Sequence, residues 1–345
     1  MKLEQAESLL IQELVMQSLS KLKDFSGEIK EIVRLAGDAS TRRYYRVLGS
    51  KYSFVVCLDT PLKDENEEYF FCTIQSFLKE SGIRVPIIYD VDLKKGYLLE
   101  EDLSDETLLK RLASIDSLEQ EFVLYKESVD ILGNLHKLDV SSSHKKVNLT
   151  HKLFDQEKLM AEVDFTLDYF SEKFLKSKWS VEIKQQVRIG FVKIIEELVS
   201  YPMVFTHRDF HSRNIMMLKD EMVLIDFQDA RLGIPQYDLV SLLEDCYYSI
   251  DATNKEKLIS YYWNSYAKSF SGQGSYENFL RLYDLMSIQR VFKALGSFAY
   301  IFYHRKDERY LKYMGYGMEK IKHILSSYSE FNFLRKTLLK SFYEH

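Results

Sequence analysis

Apolar residues at Leu3, Leu10, Leu14 and Leu22, with polar residues between them, predict an amphipathic helix over 3–22. The period then shortens. Ile29–Leu35, Tyr44–Val47 and Phe54–Leu58 are short runs rich in Ile, Val, Tyr and Phe, and they predict strands. A turn of small residues, Ala36 to Thr41, separates the first two. The pattern predicts a helix over about 65–79, closed before Gly82, then strands at Val85–Tyr89 and Gly96–Leu99 that lead into Glu100-Glu101-Asp102-Leu103. Helical periodicity dominates beyond that acidic strap, over about 118–138, 155–176, 180–200, 237–247, 254–270, 276–303 and 307–326. Short β-like runs interrupt it between 204 and 226. The expected organisation is a β-rich N-terminal lobe over 1–103, ending in the strap, and a helical lobe over 104–345.

The interruption at 204–226 holds the densest polarity. THRDFHSRNIMML, Thr206 to Leu218, crowds two His, two Arg, Asp209 and Asn214 together, then turns apolar. Ile215–Leu218 and Met222–Ile225, joined by Lys219-Asp220-Glu221, predict a hairpin. Such a hairpin brings Asn214, before one strand, and Asp226, after the other, to one edge. Two oxygen ligands there suit a hard divalent cation such as Mg²⁺. A third oxygen group nearby, Asp209, suits a hydroxyl that loses its proton while a phosphoryl group moves to it. On that division of labour Asp226 is the main metal ligand, Asn214 the second and Asp209 the base. The spacing His-x-Asp-x-x-x-x-Asn recurs by chance in roughly one chain of this length in fifty, so the hairpin and the upstream β lobe carry the weight. His207 and His211, four apart, raise the alternative of a metal-binding helix pair, which the strand after Asn214 and the lack of a following Glu oppose.

Composition narrows the class. A hydrophobic fraction of 46% and a charged fraction of 29% over 345 residues describe a globular protein with ample core. The net charge of -5 gives no case for nucleic-acid binding. No apolar run reaches membrane length, and acidic residues interrupt the first helix, so neither a membrane span nor a signal peptide is expected and the reading is cytoplasmic. Cys57, Cys72 and Cys246 lie too far apart in sequence for a zinc motif or a disulfide framework.

HRDFHSRNIM, followed by LIDFQDARLGIPQYDLVSLLEDCY, resembles the aminoglycoside/choline-type phosphotransferases, which have a bilobed, α+β, protein-kinase-like fold. GDASTRRYYRV at 37–47, GYLLEEDLSD at 96–105 and the segment 281–311 are similar, more narrowly, to bacterial kinases that phosphorylate the anomeric hydroxyl of N-acetylmuramate and N-acetylglucosamine in cell-wall recycling. The resemblance implies an ATP- and magnesium-dependent sugar kinase, a small-molecule sugar substrate and a downstream nucleotidyltransferase acting on the sugar 1-phosphate. It implies the same roles for Asp209, Asn214 and Asp226. It places Asp229 where it could face the sugar, Asp238 as a brace of the loop, and Glu101 to Leu103 as the strap beside the adenine.

One departure stands out. Kinases of this fold carry a Lys on the third strand, whereas the strand here reads SFVVCL. Ser40 and Thr41 are candidates for phosphate donors, and Arg42, Arg43 or Arg46 for the charge. Alternation puts Arg42 and Arg46 on one face and Arg43 on the other, and Arg43 is the choice carried forward. Arg290 and Lys293, three apart on one helix face, could meet a substrate carboxylate or pair with an acid of their own lobe. Two alternatives remain on the residues alone: a kinase for another hydroxyl substrate (an aminoglycoside, choline or a different sugar), and a nucleotide-binding pseudokinase.

Overall fold

A computed structural model of the chain describes residues 2–22, 27–35, 42–62, 69–140, 147, 149, 152–270, 272 and 274–344. In chain order the first elements are α1 (Lys2–Leu19), β1 (Ile29–Arg34), β2 (Arg43–Gly49), β3 (Ser53–Leu58), α2 (Phe70–Glu80), β4 (Ile88–Asp92) and β5 (Tyr97–Glu101). Then follow α3 (Leu108–Leu112), α4 (Leu118–His136), α5 (Gln156–Thr166), α6 (Val181–Val199), β6 (Val204–Thr206), β7 (Ile215–Leu218) and β8 (Glu221–Leu224). The rest are β9 (Arg231–Gly233), α7 (Gln236–Leu243), α8 (Ala252–Ser265), α9 (Tyr276–Arg305), α10 (Lys312–Ser326) and α11 (Asn332–Tyr343). The chain divides into two compact units, 1–106 with 216–228, and 107–215 with 229–345.

The first unit is built on an antiparallel sheet in the order β1-β2-β3-β5-β4. Strand alternation gives it two different faces. Tyr45, Val47, Phe54, Val56, Leu58, Tyr97 and Leu99 form one, which packs on Ile11, Leu14, Val15 and Leu19 of α1. Each of those helix side chains contributes about 1.5–3 kcal/mol by leaving water, so Leu14→Asp would detach the helix. Register sets Tyr44 beside Cys57, Cys57 beside Leu98 and Val55 beside Glu100, so these side chains share the opposite face. β4 begins three residues later than the hydrophobic pattern predicts. Pro86 has no N–H for the ladder, and its carbonyl takes Gln75 Nε2 at 2.8 Å instead. The β7–β8 hairpin belongs to this unit from residue 216 onward.

The second unit is helical. Several of its helices start at capping side chains: Ser117 accepts from the Gln120 amide, Asp155 from Lys158, Ser180 from Ile183 and Ser275 from Asn278. Leu167–Phe174 prolongs α5 as a π-helical stretch. The 30-residue α9 lies against α5, α6, α7 and α10. Gly296 permits the approach to α5, because a Cβ there would stand 2.8 Å from Thr166 Cα. α9 ends where Lys306 turns left-handed, and Asp307 then takes the Arg309 amide at 3.1 Å. The helix expected from 307 therefore starts at Lys312. Among the described residues no helix is long and apolar enough to cross a membrane.

Candidate active site

The loop from β6 to β7 carries Asp209, and two buried carboxylates grip it on either side. Asp238, in the first turn of α7, accepts the His207 amide at 2.6 Å and the Arg208 amide at 2.9 Å. Its Oδ2 also lies 3.4 Å from His136 Nε2. Asp245, just past α7, accepts both the Ser212 amide at 3.1 Å and the Ser212 hydroxyl at 2.5 Å, and its other oxygen takes the Tyr247 amide. Between these clamps Arg208 holds φ 81°, a left-handed conformation that costs a side chain about 1–3 kcal/mol. The strain persists because the adjacent amides are both committed to Asp238.

Asp209 faces α9. Arg290 Nη2 stands 3.4 Å and Lys293 Nζ 3.8 Å from the same oxygen, Oδ1. Arg290 is aimed by Ser241, whose hydroxyl takes its Nε at 3.0 Å. Burial alone would raise the Asp209 pKa, but Lys293, Arg290 and Arg208 together hold it well below the usual carboxylate range. Burial, reinforced by Arg290, pushes Lys293 down to about 8, although Asp209 pulls the other way. His211 also has its pKa lowered, by burial, against the pull of Asp245 and Asp209. Its Nδ1 is buried without a hydrogen-bond partner among the described residues. Asp209, His211, Asp245, Tyr247, Arg290 and Lys293 line a cavity of ≈ 130 Å³. A carboxylate set against two buried cations can accept a proton by position, and it makes a weak base.

Asn214 donates its side-chain N–H to the Asp209 carbonyl at 3.0 Å, which fixes the direction of the amide. A side-chain amide oxygen is of the donor kind that a hard cation takes. Asp226, in the first unit, is exposed and holds φ 65°, and Gln228 Nε2 donates to its Oδ1 at 2.6 Å. Asp and Asn tolerate this backbone region better than most residues. Their donor chemistry fits magnesium in kind: one neutral and one anionic oxygen side chain. Asp229 is half exposed and pairs with Arg208 Nη1 at 2.9 Å. The segment 207–211 is not helical and His207 is buried edge-on to Phe210, so the alternative of a helical histidine pair is not met.

The nucleotide candidates fare unevenly. Ser40 and Thr41 lie outside the described residues. Arg43 falls on the α1 face and pairs with Glu7 at 3.1 Å, because α1 covers the side to which odd-numbered β2 residues point. Arg42 has the other orientation, bound to Asp59 at 2.8 Å and lying 5.2 Å from the Phe71 ring centroid. Arg46 ties β2 to the strap through Asp102 and Asp105. Glu101 is still part of the sheet: its amide donates to Ile87 O at 2.8 Å and Arg84 holds its carboxylate. The Leu103 amide, by contrast, has no partner among the described residues. Two groups escaped sequence reasoning. Asp245 offered a weak signal, seven positions from Asp238. Glu100 looked like one more acid in a charged run, yet its side chain is buried and burial pushes it up to about 7.

Comparison with known proteins bears on the family and the fold. Residues 31–278 match the phosphotransferase enzyme family. An N-acetylmuramate/N-acetylglucosamine kinase from Pseudomonas aeruginosa is 31% identical over 81% of this chain and 80% of its own. The choline kinase LicA of Streptococcus pneumoniae superposes with a TM-score of 0.60 at 15% identity, covering 92% of this chain and 99% of that one. The ADP-bound aminoglycoside phosphotransferase APH(2'')-Ib does so with a TM-score of 0.58, also at 15% identity, over 89% and 97%. With the family matched over most of the chain and the kinase-like fold shared across nearly all of it, the protein belongs to the phosphotransferase enzyme family and transfers phosphate to a hydroxyl acceptor.

Proposed function

We propose that the protein is an ATP- and magnesium-dependent kinase of the anomeric hydroxyl of N-acetylmuramate and N-acetylglucosamine. It would act in the cytoplasm on recovered cell-wall sugars, upstream of a nucleotidyltransferase that consumes the sugar 1-phosphate. The observation that carries the reading is Asp209, a carboxylate on a doubly clamped loop at the wall of a cavity, facing Arg290 and Lys293. The named activity of the Pseudomonas relative supplies the sugars.

The weakness of Asp209 as a base supports an anomeric acceptor. A hemiacetal hydroxyl is more acidic than an ordinary alcohol, because the ring oxygen withdraws charge, so it asks less of its base. In the proposed step that hydroxyl donates to Asp209. As its oxygen bonds to the γ-phosphorus, the bond from phosphorus to the β,γ-bridging oxygen breaks, ADP leaves and the proton passes to the carboxylate. Arg290 and Lys293 keep Asp209 ionised and aimed until then. Asn214 and Asp226 are the proposed ligands of magnesium, which when bound neutralises charge on the nucleotide's phosphate oxygens. The first unit is the proposed nucleotide lobe, with the Leu103 amide offered to the adenine and Arg42 or Arg46, rather than Arg43, on the side away from α1. Asp229 is a proposed outer contact of the acceptor.

Phosphorus NMR of the protein with ATP, magnesium and each sugar tests this. A new sugar 1-phosphate signal coupled to the anomeric proton is expected, and Asp209→Asn should lower turnover by about 10²–10⁴-fold. Absence of that signal with both sugars, or wild-type turnover in the variant, would refute the assignment.

A further inference from the structure

The cavity at Asp209 lies wholly within the helical unit, its lining drawn from the β6–β7 loop, from α7 with the segment after it, and from α9. Val240, Cys246, Val291, Ala294 and Phe298 supply apolar lining. The polar lining is largely committed. Ser241 takes Arg290 Nε at 3.0 Å and donates to the Tyr237 carbonyl at 2.9 Å. Glu244 accepts from Lys255, Lys320 and Tyr283. Asp245 holds the Ser212 and Tyr247 amides, and Ser297 donates to the Lys293 carbonyl at 3.3 Å. Arg290 and Lys293 face Asp209. Among the described residues, His211 Nδ1 is the one buried side-chain polar atom of this lining without a hydrogen-bond partner. A buried nitrogen left in that state is costly until a ligand meets it.

Whatever meets it also has apolar lining to cover. One water needs about 10–15 Å³ of such space, and the cavity holds ≈ 130 Å³, so a group of several heavy atoms fits. Water would satisfy Nδ1 and leave Val240, Val291, Ala294 and Phe298 wet. A small group with an amide at one end and a methyl at the other satisfies both. An amide carries a donor N–H and an acceptor C=O, so it suits Nδ1 in either tautomer.

The place of His211 beside Asp209 adds a constraint. The His211 amide donates to the Asp209 carbonyl at 3.1 Å, which ties the two residues into one turn, and both line this cavity. A ligand that meets both therefore carries its reacting hydroxyl and its amide as near neighbours. In an N-acetylated 2-amino sugar the anomeric hydroxyl and the acetamido group stand on adjacent ring carbons. We propose that the cavity takes the acetamido group of the acceptor, with the amide at His211 Nδ1 and the methyl against Val240, Val291, Ala294 and Phe298. These residues would then select N-acetylated sugars. The inference rests on the reading of the protein as a kinase of the anomeric hydroxyl. N-acetylmuramate and N-acetylglucosamine share the acetamido group, so one pocket serves both.

The test is kcat/KM for N-acetylglucosamine against glucose, which has a hydroxyl in place of the acetamido group. A buried methyl and a hydrogen bond to a buried group should together favour the N-acetylated sugar about 10–10²-fold in the wild type. N-formylglucosamine, which lacks only the methyl, should be about fourfold poorer than N-acetylglucosamine. Ala294→Leu fills the cavity from a half-buried position on α9, and Leu is a strong helix former. His211→Phe keeps a ring and removes the nitrogen. Each should lower the ratio of N-acetylglucosamine to glucose about tenfold, whereas His211→Asn, which returns an amide near Nδ1, should restore it. Damage to the loop alone would lower both sugars together. A ratio unchanged in both Ala294→Leu and His211→Phe overturns the inference and leaves the kinase reading standing. So does a wild type for which N-acetylglucosamine is no better than glucose or the N-formyl sugar. A wild type that phosphorylates neither N-acetylglucosamine nor N-acetylmuramate overturns both, and is recognised before any variant is made.

Discussion

The clamp on the catalytic loop can be tested at Asp238. Asp238→Asn keeps size and one acceptor oxygen but turns an NH₂ toward a backbone N–H that now has an acceptor at 2.6 or 2.9 Å. A hydrogen bond to a charged group contributes about 1.5–3 kcal/mol, and an unsatisfied buried donor costs a similar amount. The expected loss of stability is therefore about 2–4 kcal/mol, since Asp238 is fully buried and water cannot substitute. For a unit of this size that lowers Tm by roughly 4–15 °C. The same two bonds offset the left-handed backbone of Arg208, so the variant should let that strain relax and carry Asp209 out of line. A misplacement of about 1 Å costs on the order of 10²-fold in rate. Differential scanning calorimetry and turnover are read on Asp238→Asn, Arg208→Gly and the double variant. Glycine has no strain to release at φ 81°, so Asp238→Asn should cost about 1 kcal/mol more in the Arg208→Gly background. Additive effects, or an Asp238→Asn protein with wild-type Tm and turnover, would mean the loop is held by something other than this carboxylate.

Three further outcomes are expected. Folded Glu100 titrates near 7 against an unfolded value of 4.5, so the folded state binds more protons between those values and loses stability as pH rises through them. Glu100→Gln removes that dependence. Denaturant midpoints should show the variant gaining up to roughly 3 kcal/mol on the wild type from pH 4.5 to 7, and a pH-independent difference would refute the buried carboxyl. Lys293 has the opposite sign: its folded value of about 8 lies below 10.5, so the folded state binds fewer protons in that window and stability rises with pH. The stability of the wild type relative to Lys293→Met should climb across it by at most about 3 kcal/mol, and a flat difference would place Lys293 in water. Asp226→Ala should abolish the rise of turnover with magnesium; a normal magnesium titration would remove Asp226 from the metal.

What was legible in the sequence followed the reach of each signal along the chain. Period 2 in β2, β3 and β5 and period 3.6 in α4, α6 and α9 report which face of an element is apolar, and those elements stand where the pattern put them. The hairpin β7–β8 and the spacing of Asp209 from Asn214 are equally local. Pattern fails where a backbone group decides: Pro86 delays β4, and Lys306 and Asp307 delay α10. The site adds a second kind of failure. Arg290 and Lys293 were visible as neighbours on one helix face, but their partner lies more than eighty positions away, and either acid or substrate would satisfy the same spacing. Likewise alternation separates Arg42 from Arg43 without saying which face α1 covers, and that packing alone sets Arg43 against Glu7. Asp245 and Glu100 show why no finer reading of the string would have sufficed. Each is one acid among several in an acidic run, and burial alone turns one into a clamp and keeps a proton on the other near neutral pH. Desolvation is a property of the folded surroundings. The chemistry of such residues is therefore set by packing, and a motif can mark only the place where packing must be examined.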